Sequence, residues 1–108
     1  MSKNHLGEFE EMILLTTASL QPSAYGVSIS ASLKEMTGRE ADMGAVHSVL
    51  RRLEAKGFLR SEMGGATSAR GGRRKRLFEV TVAGKKILDT TYYLRTSMYE
   101  KIGDLSFR

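Results

Sequence analysis

Several residue types that define common classes of site are missing or scarce in this sequence. The chain has no cysteine, so it has no disulfide bond, no thiolate nucleophile and no thiolate metal ligand. Because it also has only two histidines, a metal sensor is not expected. The absence of tryptophan removes the largest flat ring on which an unpaired base could stack. A composition without cysteine also fits a reducing compartment.

Long apolar segments and catalytic motifs are absent as well. No run approaches the roughly 18 apolar residues of a transmembrane helix. The first residues, M-S-K-N-H-L-G-E-F-E-E, carry acids where a signal peptide needs an apolar stretch. We therefore expect a cytoplasmic protein that does not enter a membrane. Since no nucleophile, phosphate-binding glycine motif or metal-ligand spacing is present, we expect neither an enzyme nor a bound cofactor.

What the sequence does contain is a concentrated positive charge. Residues 51–86 hold eleven lysines and arginines against three acidic residues, a net charge of +8, within a chain whose net charge is +5. The remaining residues hold six basic and nine acidic side chains. A charge confined to one contiguous unit is the electrostatic footprint expected for a polyanionic partner.

Hydrophobic periodicity predicts one domain, mainly α with a small β-hairpin. Ser23, Asp42 and Thr81 are placed to begin helices as N-caps, and Gly38 is placed to end one. The predicted elements are helices over Leu6–Leu20, over Ala24–Thr37, between Asp42 and Gly57 and over Val82–Gly103, with strands at Phe58–Glu62 and Arg76–Thr81. In the second helix, the residues expected to face inward are Val27, Ile29 or Ser30, Leu33 and Met36.

This order of elements predicts a winged helix-turn-helix over residues 1–81, with the third helix as the recognition helix. An apolar stripe runs along that helix at Val46, Val49, Leu50 and Leu53. At about 100° per residue, the opposite side presents Gly44, Ser48, Arg51 and Ala55, with His47 at its edge. Small residues on this side would let the helix backbone approach a major groove closely.

Basic residues near the hairpin predict contact with double-stranded DNA. Charges at a hairpin tip flanked by glycines can follow a phosphate backbone or enter a minor groove, although such a run can also be a solvated surface. Arg51 is predicted to contact a phosphate or a guanine edge, the alternatives being a solvated charge or an ion pair with Glu54. The complete set of predicted DNA-binding residues is Tyr25, Gly44, His47, Ser48, Arg51, Arg52, Arg70, Arg73, Arg74 and Lys75.

The last helix carries an apolar stripe that the rest of the domain does not need. Its simplest cover is the same helix of a second copy, so residues 82–108 are predicted to be a dimerisation helix within the same compact unit. The predicted interface consists of Ile87, Leu88, Thr91, Leu94, Met98 and Ile102. Tyr92, Tyr93 and Tyr99 on this helix are interpreted as interface packing, the alternative being a cavity for a small-molecule effector at the dimer interface.

Four motifs in this order resemble the PadR family of bacterial transcriptional regulators. They are L-G-E-F-E-E-M-I-L-L at 6–15, Tyr25-Gly26, G-A-V-H-S-V-L-R-R-L-E-A-K-G-F-L at 44–59 and G-G-R-R-K-R-L-F-E-V-T-V-A-G at 71–84. The resemblance implies a homodimeric winged-helix repressor whose C-terminal helix makes the dimer, in the short branch of the family. His47 stands where the family usually has tyrosine, and Met43 where it often has proline, so the resemblance carries no base preference.

The prediction is therefore a homodimeric, sequence-specific DNA-binding repressor acting on a near-palindromic site. The alternative is a protein-interaction module that uses the same scaffold without specific DNA binding, because a fold does not fix a function. A winged helix that binds RNA is disfavoured, since the hairpin loop has no aromatic residue to stack on unpaired bases.

Overall fold

Four helices and one two-stranded antiparallel sheet make up the part of the chain that the computed structural model describes, residues 5–64 and 74–107. Arg70 and Arg73, two of the predicted DNA-binding residues, lie outside the described residues. Every predicted element is present, with ends that differ by a few residues, and the fold class is confirmed. The elements are α1 (Glu8–Leu20), α2 (Gly26–Thr37), α3 (Met43–Ala55), β1 (Leu59–Met63), β2 (Arg76–Val80) and α4 (Val82–Glu100).

The core lies where α1, α2 and α3 meet the base of the hairpin. The predicted stripe of α3 is buried along its whole length, and it packs with Ile13 and Leu14 of α1 and Ile29 and Leu33 of α2. Phe58, which precedes β1, and Phe78 of β2 close the core from the hairpin side. Burying one large apolar side chain stabilises a fold by about 1.5–3 kcal/mol, so this contact fixes which face of α3 remains outside.

Local capping chemistry sets several helix ends as predicted. The Asp42 carboxylate accepts a hydrogen bond from the Ala45 N–H at 2.8 Å and begins α3. The Thr81 hydroxyl accepts from the Gly84 N–H at 3.0 Å and begins α4. Gly38 ends α2 with a φ of 75°, the left-handed conformation that favours glycine.

The predicted start of α2 at Ser23 is wrong. The Ala24 carbonyl accepts a hydrogen bond from the Phe78 N–H at 2.9 Å, so this backbone extends alongside β2 instead of turning into a helix. The helix begins at Gly26, and the Ser28 hydroxyl accepts from the Tyr25 N–H at 3.0 Å. A contact between residues far apart in the chain has displaced the local capping signal.

Two of the four residues predicted to face inward on α2 are exposed. Val27 is 60% exposed and lies on the side of the helix opposite Ile29. Met36 is 79% exposed because it lies in the last turn, beyond Leu33, where the helix runs past the core. Ile29 and Leu33 are buried as predicted.

The first turns of α4 are fixed against the base of the hairpin. A Cβ on Gly84 would collide with the Phe58 carbonyl oxygen and lie 2.8 Å from the Val80 Cγ1, so only glycine allows this approach. One turn further, Leu88 is 7% exposed and belongs to the core of its own protomer. Leu88 was predicted to lie in the dimer interface; in the protomer it packs into the core, and its part in an interface stays a prediction.

Candidate nucleic-acid interface

The outer face of α3 has the composition and exposure that the sequence predicted. Gly44, His47, Ser48 and Arg51 are all exposed, while the buried stripe occupies the other side of the helix. Two of the four residues are small, so the first two turns of α3 present little side-chain bulk. This is the geometry that close approach to a groove requires, and contact with DNA itself remains a prediction.

A cleft of about 520 Å³ separates this face from the hairpin. It brings together four predicted site residues from three elements: Tyr25 at the start of α2, His47 and Arg51 on α3, and Lys75 just before β2. Gly44, Ser48 and Arg74 lie outside the cleft lining. The remaining lining residues are Gly26, Val27, Met43, Leu50, Glu54, Arg76 and Phe78.

Gly26 allows α2 to begin directly against α3. A Cβ at this position would lie 2.9 Å from the His47 Cε1 and 3.1 Å from the Met43 Cε, both in side chains of α3. The imidazole of His47 therefore rests on the glycine backbone rather than standing free in solvent. Sequence patterns marked Gly26 only through the family resemblance, because the reason for the glycine is a contact with another helix.

The segment that leads into β2 is connected to both sides of the cleft. The Lys75 ammonium lies 4.2 Å from the centroid of the Tyr25 ring, a cation–π contact between hairpin and α2. The Arg74 Nε donates to the Gly64 carbonyl across the hairpin at 3.2 Å. Tyr25 is half-buried, as expected for a side chain that fills the gap between elements.

Glu54 does not pair with Arg51, which was one of the alternative interpretations of that arginine. Its carboxylate accepts from the Ser61 hydroxyl at 2.8 Å, and the Ser61 Oγ in turn accepts from the Arg76 guanidinium at 3.0 Å. These two bonds tie α3 to both strands of the hairpin. Ser61 was not predicted as part of the site, because nothing in its local sequence indicates a partner on another element.

Arg52, predicted to bind DNA, faces α1 instead. Its Nε donates to the Glu10 carboxylate at 3.1 Å, and the Lys56 ammonium reaches the same carboxylate at 2.9 Å. Burial raises the pKa of the Glu10 carboxyl, but hydrogen bonds from the Gly7 N–H and Lys56, together with the charges of Lys56 and Arg52, lower that pKa below its ordinary value overall. This pairing directs Arg52 toward α1, but the Arg52 side chain is still 50% exposed, so its contact with DNA remains a prediction.

The structure therefore divides the basic segment into two groups. Arg60 pairs with Glu79 at 2.7 Å, and Lys85 pairs with Asp89 at 2.8 Å. Within residues 5–64 and 74–107, no carboxylate lies within 4.0 Å of five cations of this segment: Arg51, Arg74, Lys75, Arg76 and Lys86. Three of them, Arg51, Lys75 and Arg76, line the cleft, where they are available to an anionic partner.

The second half of α4 leaves its apolar side chains uncovered in the protomer. Leu94, Met98 and Ile102 are 57%, 62% and 44% exposed, whereas Ile87 and Thr91 nearer the core are half-buried. Tyr92, Tyr93 and Tyr99 are exposed on the same helix. The stripe predicted from the sequence is therefore present as an apolar surface that residues 5–64 and 74–107 leave largely exposed.

Neither a metal site nor a membrane span is found in the described part of the chain. No group of three or more acidic or histidine side chains there could hold a metal ion. Over the same residues, none of the helices combines the length and the hydrophobicity needed to cross a bilayer.

Comparisons with known proteins agree with this geometry. The family model of the transcriptional regulator PadR-like family matches residues 14–90. A PadR-like transcription factor from Bacteroides fragilis has the same fold, with 22% identity and a TM-score of 0.74 over 87% of this chain and 85% of that one. A PadR family transcriptional regulator from Eggerthella lenta gives 22% identity and a TM-score of 0.69 over 89% and 83%. No curated protein matches the chain.

A third structure shows a relative together with nucleic acid. It is Bacillus subtilis PadR in complex with operator DNA, 17% identical with a TM-score of 0.62, covering 87% of this chain and 59% of that one. The fold and the α3 face thus define a winged-helix protein of the kind that regulates transcription. Because the family model matches well over half of its residues, the chain belongs to the PadR-like family of transcriptional regulators, which are DNA-binding proteins and not enzymes.

Proposed function

We propose that this protein is a sequence-specific DNA-binding regulator that represses transcription as a homodimer on a near-palindromic operator. The observation that carries the proposal is the cleft between α3 and the hairpin. It opens beside the exposed face of the recognition helix, and it is lined by three cations, Arg51, Lys75 and Arg76, that have no acidic partner among the described residues.

In this proposal α3 enters the major groove with Gly44 and Ser48 closest to the bases. His47 and Arg51 lie at one side of that contact, where arginine can bond a guanine edge or a phosphate. Arg74 and Lys75 hold the flanking backbone, a contact that positions the protein without reading sequence. Tyr25 lies at the start of α2, where backbone amides also favour an anion.

The dimer in this proposal is made by α4. Residues 1–81 form the DNA-binding part, and residues 82–108 supply the apolar surface of Leu94, Met98 and Ile102 that a second copy covers. Two linked recognition helices then reach two half-sites about one turn of DNA apart. An effector bound between the α4 helices, or any change in their angle, would change that spacing and release the DNA.

The competing proposal is a protein-interaction module on the same scaffold. It would use the exposed α4 surface to hold a different protein and would leave the α3 face without a role. The two proposals differ in what the α3 face does, so variants on that face and on the hairpin separate them.

We predict that substitutions on α3 and on the hairpin change DNA binding in different ways. Replacing His47 and Ser48 by alanine should change the preferred DNA sequence more than the affinity for random duplex, because these residues lie where base edges are read. Replacing Arg74 and Lys75 by alanine should weaken specific and random duplex alike and should reduce the steepness of the salt dependence. Selection of sites from a random library, followed by titration of each variant, measures both effects.

The matched control replaces Lys85 and Asp89 by alanine, which removes an exposed ion pair on the side of α4 away from Leu94, and it should change neither property. An unchanged site preference in the His47 and Ser48 variant would mean that the outer face of α3 does not read DNA. Failure of the wild-type protein to shift any duplex at low salt would favour the protein-interaction module.

A further inference from the structure

A charged cluster lies between α1 and α3, on the flank of α3 that joins the proposed DNA-contact face to the buried stripe. Glu10 is 7% exposed, and its carboxylate receives hydrogen bonds from the Gly7 N–H at 2.8 Å, from Arg52 at 3.1 Å and from Lys56 at 2.9 and 3.0 Å. Lys56 also donates to the His5 carbonyl at 3.2 Å. Every oxygen of this carboxylate thus has at least one partner, and two of the donors come from the recognition helix.

Arg52 and Lys56 are separated by four residues, so they lie one turn apart on the same flank of α3. A single carboxylate on α1 therefore bonds two successive turns at the C-terminal end of α3, beside the separate bond between Glu54 and Ser61. Because the hydrophobic effect is non-directional, such bonds add an orientation that burial of the stripe does not supply by itself. A rotation of α3 that displaced Arg51 would separate Arg52 from Glu10.

We propose that Glu10 is a positioning residue for the recognition helix, and that Arg52 and Lys56 act on DNA binding only through it. The inference rests on the proposed DNA-binding function. It assigns a task to a buried carboxylate that touches no nucleic acid, and it removes Arg52 from the set of DNA contacts. Paired buried charges contribute little net stability compared with apolar packing, and in some proteins such groups specify how elements are arranged.

Four proteins test this proposal: wild type, Glu10→Gln, Arg52→Ala and the double variant. The glutamine keeps an acceptor for the Gly7 N–H but loses the charge that holds α3. Each single variant should lose operator affinity by a factor of about 5–30. The double variant should bind the operator no less tightly than the weaker-binding of the two single variants. The slope of affinity against salt should stay at the wild-type value in all four, because no cation that touches phosphate is removed.

The proposal would be overturned if Arg52→Ala lowered the slope of affinity against salt by about one per protomer and if the losses of operator affinity multiplied in the double variant. Arg52 would then be a DNA contact. Unchanged operator affinity in Glu10→Gln would also overturn the proposal. Glu11→Gln is the matched control, because its partner is Arg95 on α4 at 2.8 Å and not a residue of α3. It should retain operator affinity within about twofold of wild type, a difference well below the expected loss.

Two further measurements distinguish a loss of folding from a loss of positioning. If Glu10→Gln folds poorly, Lys56→Gln can be used instead, because it removes the ion pair of Lys56 with Glu10 and leaves that of Arg52 in place. It should lose less operator affinity than Glu10→Gln is expected to lose, with the wild-type dependence of affinity on salt. If wild type binds no DNA, the proposed function fails, and the role of Glu10 in positioning α3 is then tested by thermal unfolding of the same four proteins. Non-additive shifts in the unfolding midpoint, together with faster amide exchange in α3, would support that role, and additive shifts would overturn it.

Discussion

The affinity of this protein for its operator is expected to fall by a factor of roughly 10³–10⁵ between about 50 and 200 mM salt, the loss for a protein that neutralises about 6–10 phosphates. Five described cations of the basic segment have no acidic partner among the described residues, so the proposed dimer brings five from each protomer: Arg51, Arg74, Lys75, Arg76 and Lys86. Each contact with a phosphate releases condensed counterions, and added salt opposes that release. Equilibrium titration at several salt concentrations measures the slope.

Pairing within the protein decides which substitutions should change that slope. Arg51→Ala should reduce it, provided that the partner of Arg51 is a phosphate, whereas Lys85→Ala should leave it unchanged because Lys85 is paired with Asp89 on α4. A flat salt response of the wild-type protein would contradict the electrostatic argument. An equal response to the two substitutions would contradict the division of the basic segment into paired and available cations.

The second large effect is expected from Leu94→Glu. Leu94 is 57% exposed in the protomer, so the variant should fold, but the charge would be buried without a partner in a dimer built on α4. The variant is expected to be monomeric and to lose the advantage of two linked half-sites, a factor of roughly 10²–10⁴ in operator affinity. Analytical ultracentrifugation and operator titration measure the two consequences.

Val82→Glu is the matched control, since it places the same charge on an apolar side chain of α4 that is 75% exposed and about 120° around the helix from Leu94. It should remain a dimer. A wild-type protein that is monomeric at concentrations of tens of micromolar, or a Leu94→Glu variant that stays a tight dimer, would show that α4 has another purpose.

Features that depend on neighbouring residues in the chain could be predicted from the sequence. The buried stripe of α3 follows from its spacing, and the helix ends at Gly38, Asp42 and Thr81 follow from the chemistry of those three residues. Because the stripe fixes the buried side of α3, the exposure of His47 and Ser48 could be predicted as well.

Features that depend on distant contacts could not be predicted. The start of α2 depends on a backbone hydrogen bond between Ala24 and Phe78, and the orientation of Arg52 depends on a carboxylate 42 residues earlier in the chain. Leu88 has the spacing of an interface residue, and only the docking of α4 at Gly84 places it in the core. Periodicity identifies an apolar face but does not say which part of that face the protomer itself covers.

Selection of binding sites from a random-sequence duplex library with the wild-type protein tests the central claim most directly. The account predicts enrichment of a site with two half-sites related by two-fold symmetry, their centres about 10 base pairs or a multiple of that apart. Each half-site would be read by one α3 helix of a dimer. Recovery of no preferred sequence, or of a single asymmetric site bound by one protomer, would contradict the account.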